Sequence, residues 1–551
     1  MNRIGLSTVS ALLKIKIDKW RLAFIVFAVV YAFLITLNLS AMAIQWDEIT
    51  HLNGGLRLLR GLFQEYFAYN AFYPPMYDAI TAVFFSLFGV SVFAGRFVSV
   101  VFALLSLLIV YKTAERLFGA KIALLSSLLL GVMPGFVWLS RIAMIETMLV
   151  FFFTAAMFFF FNWLCTHRNR DLVLSGVALG VGFLVKYQIL VAGIVMIASV
   201  LLLSRNYLKE KFSKMPLLIV AVALVVIPWI FISYQIYAAG MLDQWLYALS
   251  MGNPEKSLYS ERFGPYALPV FYFIEVTWPY SNVHPVSLFL YITGLIGLGL
   301  FAWRRRTEDK FLLLWFAVVF VFFTLIPNKQ WRYVILLFPV LAIAAASLIA
   351  LVYGKIAETL RSEHVSVNRK RAVKIAAGLF TVFLAVSFFF SISDAYYWVA
   401  KDQIEVPIEA ATRYAASRLG ENESIMLVCP FNLFSHDMVK FYLYADGTRH
   451  NEVWQYPELP VDTYTPNFDI NEFIALCEKL NVKYVFTYEY GGDVHYFNTT
   501  LCLMDIYQMF YASGRFAPLF GNDTVEDMIK DGRLPAFGTN PRRILILTFL
   551  R

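Results

Sequence analysis

The sequence FFFTAAMFFFF, residues 151–161, contains seven phenylalanines and no charged residue. Similar apolar runs recur along the 551 residues, of which 60% are hydrophobic, 17% aromatic and only 15% charged. A soluble domain of this size could not bury so much apolar surface, so lipid must act as the solvent for much of the chain. The composition predicts a polytopic α-helical membrane protein.

Eleven apolar segments have the length of roughly 20 residues that a helix needs to cross a bilayer core. Their connections alternate in charge: residues 1–21 and the basic linkers carry 24 Lys and Arg, whereas the opposite-side connections carry 9. By the positive-inside rule, this alternation places the N-terminus in the cytoplasm. The predicted spans are residues 22–41, 96–113, 122–139, 145–164, 171–186, 187–204, 215–235, 285–303, 310–327, 332–353 and 374–393.

One further apolar segment, PPMYDAITAVFFSLFG (74–89), does not fit this alternation. Counting it as a span would invert every later linker, so we expect an interfacial or re-entrant helix on the outer side. It would belong to a first extracytoplasmic loop with juxtamembrane helices, residues 42–95. The transmembrane domain then covers residues 1–393, and the C-terminal part lies outside the cell.

Residues 394–551 differ in character from the rest. They carry 21 Asp and Glu against 13 Lys and Arg, although the whole chain has a net charge of +8. The basic balance of the membrane part therefore reflects topology and not nucleic-acid binding. Short apolar runs alternate with amphipathic ones, which predicts an extracytoplasmic α/β domain. Its strands are expected at 424–429, 483–488 and 543–549, and its helices at 407–419, 469–480 and 499–513.

Ionisable residues at membrane depth are costly and often functional. Several from separate parts of the chain share the outer face: Asp47, Glu48, Arg141, Glu146, Lys186, Lys329 and Arg332. Some of these residues could instead have structural roles. Arg141 and Glu146 could form a structural ion pair, and we interpret Lys186 as a lysine that snorkels to the membrane interface. Adjacent Asp47 and Glu48 repel each other next to an interfacial tryptophan, which favours a functional role.

Histidines on the outer side add metal-binding potential. His51 follows Asp47 by four residues and would share its helix face, and His284 also lies outside. With Glu48 or Glu146 they could bind a divalent ion, although their spacing matches no known ligand pattern. The four cysteines show no CxxC spacing, which disfavours a cysteine metal site. No cofactor is certain, and a divalent metal stays open.

At this point the sequence resembles a known family. WDEITHLNGG (46–55) resembles the acidic first-loop motif of the GT-C glycosyltransferases, in the branch of protein O-mannosyltransferases and bacterial aminoarabinose transferases. FYPPMYD (72–78) resembles their double-proline loop motif. The blocks that start at Arg116 (RLFGAKIALLSS) and at Ile326 (IPNKQWRYVILLFP) resemble two later conserved blocks. The resemblance covers most of residues 20–350 and implies the GT-C fold, here with a prokaryotic or archaeal character.

The sequence departs from the family pattern at two positions. Tyr73 precedes the double proline where relatives commonly carry His or Lys, which puts a phosphate or metal contact there in doubt. Glu146 stands where Asp is usual. No β-trefoil domain and no WWDxG signature is found in the sequence.

The resemblance implies an enzyme that transfers one mannose-like sugar from a polyprenyl or dolichyl phosphate to an acceptor hydroxyl on the extracytoplasmic face, with inversion. Asp47 would be the general base, with Glu48 beside it in the catalytic pair. The acceptor could be a protein, a glycan or a lipid. The remaining residues implied to bind substrate are His51, Tyr73, Arg141, Glu146, Lys329, Arg332 and Tyr333.

The main alternative is a flippase or transporter of lipid-linked sugars. Transport would favour repeated halves with broken helices at mid-membrane. The sequence shows no internal repeat, and its charged groups gather at one face. A receptor would leave the Asp47 loop unexplained.

Overall fold

The computed structural model describes residues 18–70, 73–238, 240, 284–326, 330–397, 399, 404–428, 434–457, 468–488, 503–518, 540–541 and 544–550. These form two compact units. Unit 1 consists of residues up to Thr36, Val100–Trp138 and Glu146–Tyr396, and unit 2 of Leu37–Ser99, Leu139–Ile145 and Tyr397 onward.

Fifteen α-helices precede the sheet domain in the described residues. They are α1 (Lys19–Thr36), α2 (Trp46–Leu59), α3 (Phe63–Asn70), α4 (Met76–Phe88), α5 (Val92–Phe118), α6 (Ala120–Gly131), α7 (Pro134–Leu139), α8 (Glu146–Thr166), α9 (Asn169–Phe183), α10 (Val191–Leu203), α11 (Leu208–Tyr237), α12 (Leu288–Arg304), α13 (Thr307–Leu325), α14 (Phe338–Arg361) and α15 (Val367–Tyr396). Three 3₁₀ turns, Tyr187–Leu190, Arg205–Tyr207 and Trp331–Leu337, lead into α10, α11 and α14.

The predicted fold class is confirmed: the chain is a mostly helical membrane protein with a small sheet near its C-terminus. Helical residues lie on all eleven predicted spans. Within the described ranges, six helices are long and apolar enough to cross a bilayer, namely Lys19–Thr36, Val92–Phe118, Glu146–Thr166, Arg205–Tyr237, Trp331–Arg361 and Val367–Tyr396. The count of eleven crossings stays a prediction.

The predicted span 122–139 is two helices. Helix α6 ends at Gly131, and α7 begins at Pro134. Proline lacks the N–H that the preceding turn needs and disfavours helical geometry in the residue before it, so it stops α6 and starts a new helix.

Helix α14 forms the centre of unit 1. Of the apolar stretch within Trp331–Arg361, 83% is buried. The corresponding value for α15 is 11%, so the side chains of α15 must face lipid. The sequence FPVLAIAAASLIA explains the difference, because small residues allow neighbouring helices to approach closely. A Cβ on Gly297 of α12 would lie 2.3 Å from the carbonyl oxygen of Ala344, so only glycine fits at this crossing.

Unit 2 contains the first-loop helices α2, α3 and α4. Helix α4 has 13 residues and is about 20 Å long, which is less than the roughly 30 Å of a bilayer core. It packs on α2 at Gly55, where a Cβ would lie 2.6 Å from the Thr81 methyl group. The placement of α4 relative to the membrane stays a prediction.

The rest of unit 2 is an α/β arrangement. Its elements are β1 (Ile404–Glu405), α16 (Ile408–Ala416), β2 (Ser424–Val428), α17 (His436–Tyr444), β3 (Val453–Tyr456), α18 (Ile470–Lys479), β4 (Val482–Tyr488), α19 (Leu503–Ala512), β5 (Phe516–Pro518), β6 (Asn540–Pro541) and β7 (Ile544–Phe549).

Five of these strands form a mixed sheet in the order β3-β2-β4-β7-β5. Strand β2 is parallel to β3 and β4, whereas β7 is antiparallel to β4 and β5. The three predicted strands and three predicted helices are found at β2, β4, β7, α16, α18 and α19. Residues Cys429, Arg543 and 499–502, at the margins of those predictions, lie outside the described residues.

Candidate active site

The acidic first-loop motif forms the start of helix α2. Gln45 is the N-cap residue, and its backbone N–H donates to Glu48 Oε2 at 3.0 Å. Carboxylates in a first turn are stabilised by the positive end of the helix dipole. Asp47 is partly exposed, whereas Glu48 is fully buried. The two adjacent acids therefore have different surroundings.

Glu48 forms a buried ion pair with Arg96 of α5, and both side chains are 0% exposed. Arg96 Nε lies 2.7 Å from Glu48 Oε1, and Nη2 lies 2.9 Å from Oε2, a bidentate arrangement. The backbone N–H of Ala143 donates to Oε1 at 2.7 Å. The carboxylate thus joins α2, α5 and the segment 139–145.

Arg96 also holds the chain that leads into α2. It donates to the carbonyl oxygens of Leu39 at 2.8 Å, Met42 at 2.9 Å and Ala43 at 3.1 Å. A buried ion pair offsets its desolvation cost only when such further hydrogen bonds complete it. The geometry favours a structural role for Glu48, in place of the catalytic role expected from the sequence.

Tyr442 of α17 lies within electrostatic reach of this pair. Burial raises the pKa of its phenol, and the charge of Glu409 raises it further. The phenol is therefore neutral at physiological pH and adds no charge beside Glu48 and Arg96.

His51 lies one turn beyond Asp47 on α2 and is 2% exposed. Its Nδ1 is 2.8 Å from Oδ1 of Asp78, a fully buried residue of α4. Tyr66 donates its hydroxyl to Asp78 Oδ2 at 3.2 Å. The rings of Tyr73 and Tyr77 meet the imidazole edge-on, each with its centroid 5.1 Å away.

Arg141 is 3% exposed and binds backbone oxygens. Its guanidinium donates to the carbonyls of Leu37 at 2.7 Å, Asn38 at 3.2 Å and Val399 at 3.4 Å. The Arg141–Glu146 ion pair, which the sequence left open, stays a prediction. The structure gives Arg141 a role in holding the end of the 37–38 turn.

A second group of predicted residues lies in unit 1. Glu146, the first residue of α8, is 1% exposed and accepts a hydrogen bond from Lys186 Nζ at 3.1 Å. Lys186 also lies over the ring of Tyr333, with Nζ 5.3 Å from its centroid. The interpretation of Lys186 as a surface-seeking cation is therefore wrong, because the side chain turns to a buried carboxylate and is only 16% exposed.

Arg332 completes this second group. Its guanidinium carbon is 5.9 Å from the Tyr333 ring centroid, and its Nε donates to Gln330 Oε1 at 2.5 Å. Two cations thus lie close to one tyrosine ring, and the Glu146 carboxylate offsets part of their charge. Lys329, the other predicted phosphate ligand, lies outside the described residues.

Within the described part of the chain, no group of three or more His, Cys, Asp or Glu side chains could hold a metal ion. The suggested divalent ion gains no support from these residues.

Three residues of this region were missed by sequence reasoning: Arg96, Asp78 and Tyr66. A signal existed for the first two, since Arg96 lies in an otherwise apolar span and Asp78 in the apolar segment 74–89. Ionisable residues in such segments need partners. The partners themselves, 48 and 27 residues away in sequence, could not be read from the motif.

Comparison with known proteins agrees with this fold. The family model described as dolichyl-phosphate-mannose-protein mannosyltransferase matches residues 73–232. The undecaprenyl phosphate-α-4-amino-4-deoxy-L-arabinose arabinosyl transferase 1 of Proteus mirabilis is 24% identical over 322 residues, which are 56% of this chain and 54% of that protein.

Two solved structures share the fold over nearly the whole chain. ArnT from Cupriavidus metallidurans in the apo state has a TM-score of 0.61 at 16% identity and covers 96% of this chain and 97% of its own. The same protein bound to undecaprenyl phosphate has a TM-score of 0.56, also at 16% identity, and covers 96% and 98%.

In these matches the chain is similar to membrane glycosyltransferases, namely the dolichyl-phosphate-mannose-protein mannosyltransferases in its residues 73–232 and ArnT in its overall fold. The chain spans about half the length of the curated relatives it matches.

Proposed function

We propose that this protein transfers a single sugar from a polyprenyl-phosphate carrier to an acceptor hydroxyl on the extracytoplasmic face, with inversion at the anomeric carbon. The observation that carries the proposal is the difference in burial between the adjacent acids Asp47 and Glu48. Glu48 is enclosed by Arg96 and two backbone N–H groups. Asp47, on the same turn, is partly exposed.

Asp47 is the general base in this proposal. It takes the proton of the acceptor hydroxyl as the oxygen attacks the anomeric carbon, and the bond from that carbon to the phosphate oxygen breaks. One catalytic carboxylate suffices for a single inverting displacement, because the leaving polyprenyl phosphate is already a good leaving group. Glu48 then serves by fixing the backbone that carries Asp47.

Arg332, Lys186 and Lys329 bind the phosphate of the donor in this proposal. Charged hydrogen bonds from guanidinium and ammonium groups to phosphate oxygens are strong at low dielectric and stabilise the charge that grows on the leaving group. The Tyr333 ring between Lys186 and Arg332 keeps both cations at a defined spacing. Support also comes from the undecaprenyl phosphate bound in the ArnT structure.

The sugar is proposed from two classes of relative. The matched family model points to mannose, and the Proteus mirabilis relative points to 4-amino-4-deoxy-L-arabinose. The positive-inside pattern supports a cytoplasmic N-terminus and an outer α/β domain, which would place the acceptor outside the cell. The class of acceptor, whether protein, glycan or lipid, is left to the assay.

The test is sugar transfer by the purified protein in lipid. Radiolabelled polyprenyl-phosphate mannose and polyprenyl-phosphate aminoarabinose are offered with cell-membrane acceptors, and wild type is run beside Asp47→Asn. Loss of a general base should lower kcat by about 100- to 10,000-fold. Glu65→Gln, an exposed acid in the first turn of α3, is the matched control and should retain wild-type activity.

Equal transfer by wild type and a well-folded Asp47→Asn variant would remove Asp47 as the base. No transfer from either donor by the wild type would favour the flippase alternative, which a lipid-linked sugar flipping assay then measures.

A further inference from the structure

A buried histidine–carboxylate pair lies beside the proposed base. His51 Nδ1 and Asp78 Oδ1 are 2.8 Å apart, and the side chains are 2% and 0% exposed. Tyr66 donates to the other carboxylate oxygen at 3.2 Å. The pair joins α2, which carries Asp47, to α4.

The arrangement determines which imidazole nitrogen carries the proton. Asp78 accepts a hydrogen bond from Tyr66, and an ionised carboxylate can only accept hydrogen bonds. Nδ1 of His51 must therefore be the donor. In the neutral imidazole the remaining nitrogen, Nε2, then has a free lone pair and acts as an acceptor.

The ring is also fixed in orientation. Tyr73 and Tyr77 contact it edge-on from centroid distances of 5.1 Å. Tyr77 is itself held, because its hydroxyl lies 2.8 Å from Ser99 Oγ, which donates to the Met144 carbonyl at 3.1 Å. The Asp78 carboxylate at Nδ1 and the two tyrosine rings together fix the direction of Nε2. Histidines that bind a ligand are oriented in the same way, through the nitrogen that faces away from the ligand.

His51 and Asp47 are four residues apart on α2 and so lie on one helix face, with Cβ atoms about 6 Å apart. We therefore expect a substrate group bound at Asp47 to lie near His51. A phosphate oxygen carries no proton at neutral pH and would meet the Nε2 lone pair with repulsion. A sugar or acceptor hydroxyl can donate to it.

We propose that His51 Nε2 accepts a hydrogen bond from a substrate hydroxyl, and that Asp78 is the positioning residue that fixes the tautomer of the neutral ring and the direction of Nε2. The inference rests on the proposed glycosyl transfer. It assigns this part of the site to hydroxyl recognition and separates it from the phosphate-binding group around Arg332. Asp78 itself touches no substrate.

The first experiment compares His51→Gln, His51→Phe and Asp78→Asn with wild type in the transfer assay. The Gln amide oxygen can accept a hydrogen bond near the Nε2 position, whereas Phe keeps the ring shape without an acceptor. His51→Phe should lower kcat/KM by about 10- to 100-fold, the range for a hydrogen bond lost from a buried site. His51→Gln should recover most of that loss, and Asp78→Asn should lie between them.

Monodeoxy donors and acceptors identify the hydroxyl. Wild type should discriminate against the one analogue that lacks it, and His51→Phe should lose that discrimination while it keeps the wild-type preference among all other analogues. A uniform loss with every analogue, together with no rescue by His51→Gln, would mean that His51 has only a packing role and would overturn the proposal.

A second measurement does not depend on transfer. In protein labelled with ¹⁵N-histidine, the His51 resonances are those that disappear in His51→Gln. We expect a protonated Nδ1 and an unprotonated Nε2, and an Nε2 shift on addition of polyprenyl-phosphate sugar but not of polyprenyl phosphate alone. A neutral ring with protonated Nε2, or the same response to both lipids, would contradict the proposal even if the protein transfers no sugar.

Discussion

Glu48 and Glu146 are two buried acids in different units, and they are held in different ways. Glu48 is paired with Arg96, which is also 0% exposed. The other N–H groups of Arg96 donate to backbone carbonyls. Glu146 is paired with Lys186, which keeps 16% of its side chain exposed and also faces an aromatic ring. Both acids were predicted as site residues of the outer face.

The difference indicates what each region can do. All five N–H donors of Arg96 bind Glu48 or backbone carbonyls, so we expect the Glu48–Arg96 pair to act by fixing the backbone around Asp47. Lys186 is accessible, and a lysine ammonium can keep its carboxylate and still turn a donor to a phosphate. We therefore expect the first region to provide rigidity and the second to provide charge for a ligand.

The largest expected effect follows from breaking the enclosed pair. Arg96→Met leaves the Glu48 carboxylate buried without its cation and frees three carbonyls, which should cost about 3–5 kcal/mol of stability. We expect a much lower thermal unfolding midpoint by fluorescence-detected size-exclusion chromatography, with transfer activity lost in parallel.

Arg116→Met is the matched control for this prediction, since Arg116 is an exposed arginine on the same helix, α5. It should unfold within a few degrees of wild type. The double variant Glu48→Gln/Arg96→Met should be no less stable than Arg96→Met alone, because the two residues act as one unit. Equal midpoints for Arg96→Met and Arg116→Met would show that the pair does not hold the loop.

The fold was largely predictable from the sequence, for simple physical reasons. Apolar length identified helical segments, of which six in the described residues are long enough to cross a bilayer, and apolar runs such as SIMLV (424–428) identified three strands of the sheet. Strand β3 was missed because VWQY (453–456) is short and only its first residue is buried. The break at Pro134 was missed because hydropathy does not report helix ends.

The candidate site was predictable at the level of motifs but not of partners. Asp47 and Glu48 look alike in sequence, and only the position of Arg96 in space separates their surroundings. Lys186 looked like an isolated cation until folding brought Glu146, 40 residues away, within 3.1 Å. Pairings of this kind depend on how helices pack and have no local signature.

A middle-sized effect is expected in the second region. Arg332→Met removes an accessible guanidinium and should weaken binding of polyprenyl phosphate by about 10- to 100-fold, because a hydrogen bond to a charged group contributes about 1.5–3 kcal/mol. The thermal midpoint should stay near that of wild type, in contrast to Arg96→Met. Binding is measured by competition of polyprenyl phosphate with the labelled donor.

Arg361→Met is the control here, since Arg361 is an exposed arginine at the far end of α14. It should leave the affinity for polyprenyl phosphate unchanged. If both arginine variants bind polyprenyl phosphate as wild type does, the phosphate is bound elsewhere, and the contrast between the two regions disappears.

The smallest effect concerns the attachment of α2 to the α/β arrangement. Asn53 is 4% exposed and donates to the Asp437 carbonyl at 3.0 Å, Arg60 donates to the Ala445 carbonyl at 2.8 Å, and the two donors follow α2 in the same order as their acceptors follow α17. The two helices therefore run side by side in one direction. Through α17, the sheet supports the helix that carries Asp47.

Asn53→Ala should therefore cost about 1 kcal/mol of stability, the usual value for one hydrogen bond, and lower transfer a few-fold without changing the affinity for polyprenyl phosphate. Thermal unfolding and a KM measurement for the donor test both parts, and Arg413→Ala, in an exposed ion pair on α16, is the control. An unchanged transfer rate in a measurably destabilised Asn53→Ala variant would mean that the Glu48–Arg96 pair alone keeps Asp47 in place. A lower rate would show that rigidity at Asp47 is supplied from both sides of α2, by a buried charge pair at its start and by backbone contacts further along.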